Sequence, residues 1–125
     1  MAKKKVFVSF DFDNDKALKD FLIGQSKLPD SPFEVSDHSL KEAKPEADWL
    51  EHAKRAIARS DVVIFILGPK TKTAPGVLKE LKATIDKAKP KFQIIGYKNG
   101  TINWAIPGAG RTYVWTWENL KKLLA

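Results

Sequence analysis

The stretch Asp61-Val-Val-Ile-Phe-Ile-Leu-Gly68 decides the fold of this 125-residue chain. Its six central residues are all apolar, with no alternation between polar and apolar side chains. A strand that is covered on one face alternates, whereas a strand of a parallel sheet with helices on both faces is continuously apolar. The stretch therefore predicts a central parallel strand over residues 62–67.

Apolar runs and helical patterns alternate on both sides of this strand. They predict four further strands, at residues 5–10, 33–36, 92–97 and 112–117. They also predict four helices, which begin near Asp13-Asn14-Asp15, Pro45, Thr73 and Glu118. Such alternation is typical of a parallel sheet covered by helices on both faces. We therefore predict an α/β, flavodoxin-like fold with five parallel strands in the order 2-1-3-4-5.

The helical periodicity also predicts which side chains face the core. In the first helix these are Leu18, Phe21 and Leu22. In the second helix they are Trp49, Leu50, Ala53, Ala56 and Ile57. In the third helix they are Val77, Leu78, Leu81, Ile85 and Ala88.

Composition limits the class of protein. The chain is 43% hydrophobic and 30% charged, which is typical of a globular protein, and its length suits one domain over residues 1–125. It has no apolar run of about 18 residues and no cysteine, so we expect a cytoplasmic protein without a membrane partner. The net charge is +7, but the lysines are scattered and mixed with acids. Nucleic-acid binding is therefore not the favoured interpretation.

Several familiar α/β sites do not fit the sequence. The segment Asp11-Phe-Asp-Asn-Asp15 stands where a dinucleotide fold needs a glycine-rich loop, and its carboxylates would repel phosphates. A phosphate-accepting receiver domain needs an aspartate after the third strand, where this chain has Leu67-Gly68-Pro69. No metal site is predicted, because the sequence offers few clustered oxygen ligands.

One carboxylate has a promising position. In an open α/β sheet, ligands bind outside the carboxyl ends of the strands. Glu80 is expected in the first turn of the helix that follows the third strand, which is near such a ligand. A solvated glutamate on the helix surface is the simpler alternative. Trp104, in the loop after the fourth strand, is a candidate to stack on a ligand ring.

The sequence resembles TIR-like domains. The resemblance rests on four segments that occur in the order seen in that family: Lys5-Val-Phe-Val-Ser-Phe-Asp11, Val35-Ser-Asp-His-Ser39, Ala58-Arg-Ser-Asp-Val-Val-Ile-Phe-Ile-Leu-Gly68 and Gly76-Val-Leu-Lys-Glu80. It covers nearly the whole chain. The chain is most similar to small prokaryotic members, including the TIR-like proteins of Thoeris antiphage systems.

This resemblance implies self-association and, in many members, cleavage of NAD at the nicotinamide–ribose bond, with hydrolysis or cyclisation to an ADP-ribose signal. NAD would be the substrate, and no cofactor is implied. Glu80 matches the catalytic glutamate of the family. Phe10 and Asp11 match the mouth of the site, and Asp37 and Ser39 match the segment that borders the cleft.

Three residues near Glu80 complete the predicted site. Lys70 and Lys72 precede the helix and are candidates to contact the pyrophosphate, with solvated charges of a loop as the favoured alternative. Gly76 stands where catalytic TIR domains often carry an aromatic residue, and a glycine there leaves room for a ligand to approach the backbone. The missing aromatic also favours an alternative, a non-catalytic TIR-like adaptor that acts through protein–protein association.

Overall fold

The computed structural model describes residues 3–35, 46–97 and 100–124. Within these residues, five strands form one sheet in the order β2-β1-β3-β4-β5, and every neighbouring pair is parallel. The strands are β1 (Lys4–Ser9), β2 (Phe33–Val35), β3 (Val62–Leu67), β4 (Lys91–Ile95) and β5 (Thr112–Val114). The predicted fold class and strand order are therefore confirmed.

The helices of the described residues follow the predicted positions to within a few residues. They are α1 (Phe12–Ser26), α2 (Glu46–Arg59), α3 (Pro75–Asp86) and α4 (Trp117–Leu124). A short 3₁₀ turn, Thr71–Thr73, lies before α3, and another, Ile102–Trp104, lies between β4 and β5. Pro75 is the first residue of α3, where its fixed φ suits a helix start and its missing N–H costs no hydrogen bond.

Strand β3 lies at the centre of the sheet, between β1 and β4, and all six of its side chains are buried. Val62, Ile64 and Ile66 face one core cluster, and the three residues that alternate with them face the other. Helices on both faces thus explain why this strand has no polar position.

The helices divide between the two faces of the sheet. Residues of α1 and α4 pack in one core cluster, whereas residues of α2 and α3 pack in the other. The segments that follow the adjacent strands β1 and β3 therefore turn to opposite faces. Such a switch point opens a crevice at the carboxyl edge of a parallel sheet. This edge holds the residues of interest.

Four residues predicted to face the core, in the first and third helices, do not do so. Phe21 is 61% exposed, although its neighbour Leu22 is fully buried. The ring of Phe21 makes an edge-to-face contact with Trp115. In α3, Leu78 and Ile85 are also exposed. Ala88 lies beyond the end of α3 with a positive φ of 52°.

The start of α1 also differs from the prediction. Its N-cap is Asp11, and Asn14 and Asp15 lie inside the helix. Asp15 departs from helical geometry, with φ −124° and ψ 24°, which kinks the first turn. Among the described helices, none is both long enough and apolar enough to cross a bilayer. The side chain of Trp49 lies outside the described part of the chain.

Candidate functional site

Glu80 is fully buried, and it lies in the second turn of α3 rather than the first. The buried residues of α3 are Val77, Glu80, Leu81, Ala83 and Thr84, and four of them have the spacing i, i+3, i+4 and i+7. Two polar residues thus occupy positions on the face that packs toward the sheet. The interpretation of Glu80 as a solvated surface residue is therefore wrong.

The side chain of Ser9 meets Glu80 from the last position of β1. The Ser9 hydroxyl donates a hydrogen bond of 2.6 Å to Glu80 Oε1, and both side chains are completely buried. Side chains alternate along a strand, so Ser9 shares the face of Phe7, which packs in the α2–α3 core. This hydrogen bond fixes the orientation of the Glu80 carboxyl group.

The two residues after Ser9, Phe10 and Asp11, lie in different environments. Phe10 is 2% exposed and belongs to the α1–α4 core cluster, where the Lys19 ammonium lies 5.6 Å from the centre of its ring. The side chain of Asp11 accepts a 2.6 Å hydrogen bond from Asn14 Nδ2. The backbone carbonyl of Asp11 accepts from the amides of Asn14 and Asp15. Asp11 thus stabilises the first turn of α1 at the edge of the crevice.

A second polar cluster surrounds Asp15, which is 2% exposed. Its Oδ1 accepts a hydrogen bond of 2.7 Å from the Tyr97 hydroxyl, and its Oδ2 accepts one of 3.4 Å from Thr71 Oγ1. The Thr71 hydroxyl in turn accepts a 2.7 Å hydrogen bond from the amide of Gly68. The cluster therefore ties together α1 and the loops after β3 and β4.

The position of the Asp15 carboxyl group has two consequences. Its hydrogen bond with Tyr97 raises the pKa of Tyr97 to about 12, with further contributions from burial and from the charges of Asp15 and Asp11. The carboxylate also occupies the space in which a β-carbon on Gly68 would lie. Glycine is thus required at the end of β3 so that Asp15 can reach this position.

The predicted residues of the loop before α3 occupy different environments. Lys70 is exposed and lines a pocket, whereas Lys72 Nζ donates a 3.0 Å hydrogen bond to the carbonyl oxygen of Asn103. Gly76 is half-buried at the second position of α3, one turn before Glu80. Asp37 and Ser39, which were predicted to border the cleft, lie outside the described residues.

Sequence reasoning missed four residues at this edge: Ser9, Asp15, Thr71 and Tyr97. Ser9 had a usable signal, because it is the one polar residue in Val6-Phe-Val-Ser-Phe10. The other three come from separate segments, namely α1, the turn before α3 and the loop after β4, and no local pattern links them. Among the described residues, no three histidine, aspartate or glutamate side chains are placed to hold a metal ion.

Comparisons with known proteins address the family and the fold. No curated protein sequence matches the chain. A solved structure, the CMP N-glycosidase BcmB of Clostridium botulinum, is similar with a TM-score of 0.61 and 20% sequence identity, over 96% of this chain and 97% of that one. At this identity, the similarity supports the fold alone. The family model for the TIR-like domain of the Thoeris protein ThsB matches residues 7–99. This match covers most of the chain, which therefore belongs to the family of ThsB TIR-like domains.

Proposed function

We propose that this domain breaks the bond between nicotinamide and ribose in NAD, with Glu80 as the catalytic carboxylate, and that it acts in antiphage defence. The observation that carries the proposal is the buried Ser9–Glu80 hydrogen bond of 2.6 Å at the carboxyl end of β1. Membership of the ThsB TIR-like family supports it. The fold is shared with a CMP N-glycosidase, whose name describes cleavage of a bond between base and ribose.

The chemistry suits a single carboxylate. The bond between the ribose carbon C1′ and the pyridinium nitrogen breaks, and its electron pair leaves with nicotinamide, which becomes neutral. The ribose then gains oxocarbenium character. A fixed carboxylate stabilises this positive charge, as in glycoside hydrolysis. Attack on C1′ by water releases a proton and gives ADP-ribose, whereas attack by a nucleophile of the same molecule gives a cyclic product.

In this proposal Ser9 positions the carboxylate. A hydroxyl that donates to Oε1 limits the rotation of the Glu80 side chain, so little reorganisation is needed when charge develops on the ribose. The backbone of Glu80 is also restrained, because Thr84 Oγ1 donates a 2.7 Å hydrogen bond to its carbonyl oxygen. The domain would work in the cytoplasm as a homo-oligomer or with another TIR-like protein.

A second function has specific support. The complete burial of Glu80 and the glycine at position 76 are also expected if Glu80 only stabilises the fold. The domain would then be a non-catalytic adaptor that acts by association with copies of itself or with a partner. The two proposals differ in one measurable property, which is the release of a free base.

The experiment compares the wild type with Glu80→Gln at high protein concentration. NAD is supplied and free nicotinamide is measured, with CMP and free cytosine as a parallel reaction. Glu80→Gln keeps the size and removes the charge, so we expect nicotinamide release to fall by a factor on the order of a hundred or more. Asp86→Asn is the matched control, because Asp86 is exposed on the same helix and pairs with Lys82 at 3.4 Å.

Three results separate the alternatives. Equal release by the wild type and by folded Glu80→Gln would remove Glu80 as the catalytic group. Release of cytosine but not of nicotinamide would show that NAD is not the substrate. The bond that is cleaved would still be one between a base and ribose. No release from a wild type that demonstrably self-associates would favour the adaptor.

A further inference from the structure

A pocket at the carboxyl edge of the sheet is separate from the Ser9–Glu80 pair. Its volume is about 310 Å³, and its walls come from α1 and from the segments that follow β3 and β4. Neither Ser9 nor Glu80 is among the described residues that line it. A volume at the lower end of the range for ligand sites suits a single ring system. The lining residues are Asn14, Asp15, Pro69, Lys70, Tyr97 and Trp104.

Asp15 brings a carboxyl group to this pocket, although the residue is only 2% exposed. Its hydrogen-bond donors are the hydroxyls of Tyr97 and Thr71, at 2.7 and 3.4 Å. A carboxylate can accept about four hydrogen bonds, so acceptor positions remain on Asp15. Among the described residues, no lysine or arginine forms an ion pair with it. The pocket therefore offers a buried acceptor to a ligand that carries N–H groups.

Two neighbouring side chains add a second acceptor and a donor. Asn14 Nδ2 donates a 2.6 Å hydrogen bond to Asp11, which leaves Asn14 Oδ1 as the atom that can accept. Lys70 is exposed and lines the pocket, and its ammonium can only donate. The polar part of the lining thus consists of two acceptors, on adjacent residues of α1, and one donor from the segment after β3.

The remainder of the lining is apolar and largely aromatic. The rings of Tyr97 and Trp104 lie 6.0 Å apart between centroids, at 85° to each other. The Tyr97 ring is held by its hydroxyl contact with Asp15, and Pro69 supplies a further apolar surface. Aromatic side chains in such a setting suit a planar heterocycle, because every nucleobase has a face that can stack.

The polar groups of the lining match one nucleobase. The Watson–Crick edge of guanine carries two adjacent donors, the ring N1–H and the 2-amino group, followed by one acceptor, O6. Adenine, cytosine and uracil each have a single donor group on this edge. Two adjacent donors can pair with the adjacent acceptors Asp15 and Asn14, and O6 can accept from the Lys70 ammonium.

Two other classes of ligand fit this lining less well. A phosphate group would lie beside the carboxyl groups of Asp11 and Asp15, and an anion is repelled by carboxylates. An organic cation would lie beside the Lys70 ammonium, which repels it for the same reason. A neutral base avoids both repulsions and pairs with all three polar side chains.

We propose that this pocket binds the guanine base of a nucleoside, with Asp15 and Asn14 as acceptors, Lys70 as the donor to O6, and Trp104 as the stacking surface. The inference goes beyond the proposed function and does not depend on it, because the pocket does not include Glu80. It gives the domain a second ligand site at the carboxyl edge of the sheet.

The test measures the binding of nucleosides to the whole domain by isothermal titration calorimetry. Inosine lacks the 2-amino group of guanosine, and adenosine also lacks the ring N1–H and O6. We expect guanosine to bind roughly tenfold or more tightly than inosine, and adenosine to bind most weakly, since each loss leaves a polar side chain without its partner. Guanosine monophosphate should bind no more tightly than guanosine. Glu80→Gln should bind guanosine with the affinity of the wild type.

Substitutions in the lining make the test specific. Asp15→Asn replaces an acceptor by an amide, so it should weaken guanosine binding roughly tenfold and reduce the preference over inosine. Asp20→Asn is the matched control, because Asp20 lies on the same helix, is exposed and is not among the lining residues. Trp104→Ala should weaken guanosine binding roughly tenfold or more, as for the loss of a base–aromatic stack.

Lys70→Ala keeps the test decisive if Asp15→Asn does not fold, because Lys70 is exposed and its replacement should preserve the fold. It should weaken the binding of guanosine and reduce the preference over adenosine. The inference would be overturned if guanosine did not bind, or if guanosine and adenosine bound equally. Unchanged guanosine affinity in folded Trp104→Ala and Lys70→Ala would overturn it as well.

Discussion

The Tyr97 hydroxyl donates a 2.7 Å hydrogen bond to Asp15 Oδ1, although 82 positions separate the two residues in the chain. The contact joins the first turn of α1 to the loop after β4, at the carboxyl edge of the sheet. It is also the largest of the contributions that raise the pKa of the Tyr97 hydroxyl from 10.0 to about 12.

This contact predicts a pH dependence of stability. The pKa of Tyr97 is higher in the folded state, so the contribution to stability is fully present below the unfolded pKa and is lost as the pH rises through the folded one. We expect the free energy of unfolding to fall between about pH 10 and 12. In Tyr97→Phe this part of the decrease should disappear, as measured by urea unfolding at each pH. Parallel profiles for both proteins would contradict the assignment.

The Ser9–Glu80 hydrogen bond predicts the effect of Ser9→Ala. The substitution removes the donor from a buried carboxylate, so we expect a loss of about 1–3 kcal/mol in the free energy of unfolding. Under the proposed function, nicotinamide release should fall about tenfold, since Glu80 would be less well oriented.

Ser31→Ala is the matched control for Ser9→Ala. Ser31 is also buried, and its hydroxyl donates a 2.8 Å hydrogen bond to the carbonyl oxygen of Phe33 at the opposite edge of the sheet. It should lower stability without changing nicotinamide release. If the two variants lose activity equally, Ser9 has no special role in catalysis.

The close approach of Asp15 to Gly68 predicts a coupling between these positions. Gly68→Ala places a β-carbon in the space of the Asp15 carboxylate, so we expect a loss of about 1–3 kcal/mol. In an Asp15→Ala background the same change should cost much less, because the obstacle is gone. A double-mutant cycle by chemical unfolding measures this coupling. Equal costs in the two backgrounds would show that the residues act independently.

Two neighbouring residues of α1 are expected to differ in their contribution to stability. Leu22 is fully buried, so Leu22→Ala should cost about 2–5 kcal/mol. Phe21 is 61% exposed and contacts the edge of Trp115, so Phe21→Ala should cost less than about 1.5 kcal/mol. Urea unfolding of both variants checks this order. A larger cost for Phe21→Ala than for Leu22→Ala would indicate that Phe21 is buried, as the helical periodicity predicted.

Much of the fold was predictable from local patterns. The continuous apolar run of β3 required cover on both faces, and the alternation of strands with helices then led to the parallel order 2-1-3-4-5. Glu80 was recognised from its place after β3 and from the family resemblance. Its burial was not predicted, because an apolar stripe drawn through Leu78 and Ile85 leaves Glu80 on the outer face of α3.

The sequence by itself thus determined the strands, the helices and the side of the sheet at which a site is expected, since these depend on residue spacings of two to four positions. Only the tertiary structure decided which polar side chains meet. Ser9 and Glu80 are 71 positions apart, and Asp15 of α1 meets Thr71 and Tyr97 from the segments that follow β3 and β4. The physical reason is that parallel strands bring their carboxyl ends to one edge of the sheet. Residues from distant segments become neighbours there, and no periodic pattern in the sequence indicates which of them meet.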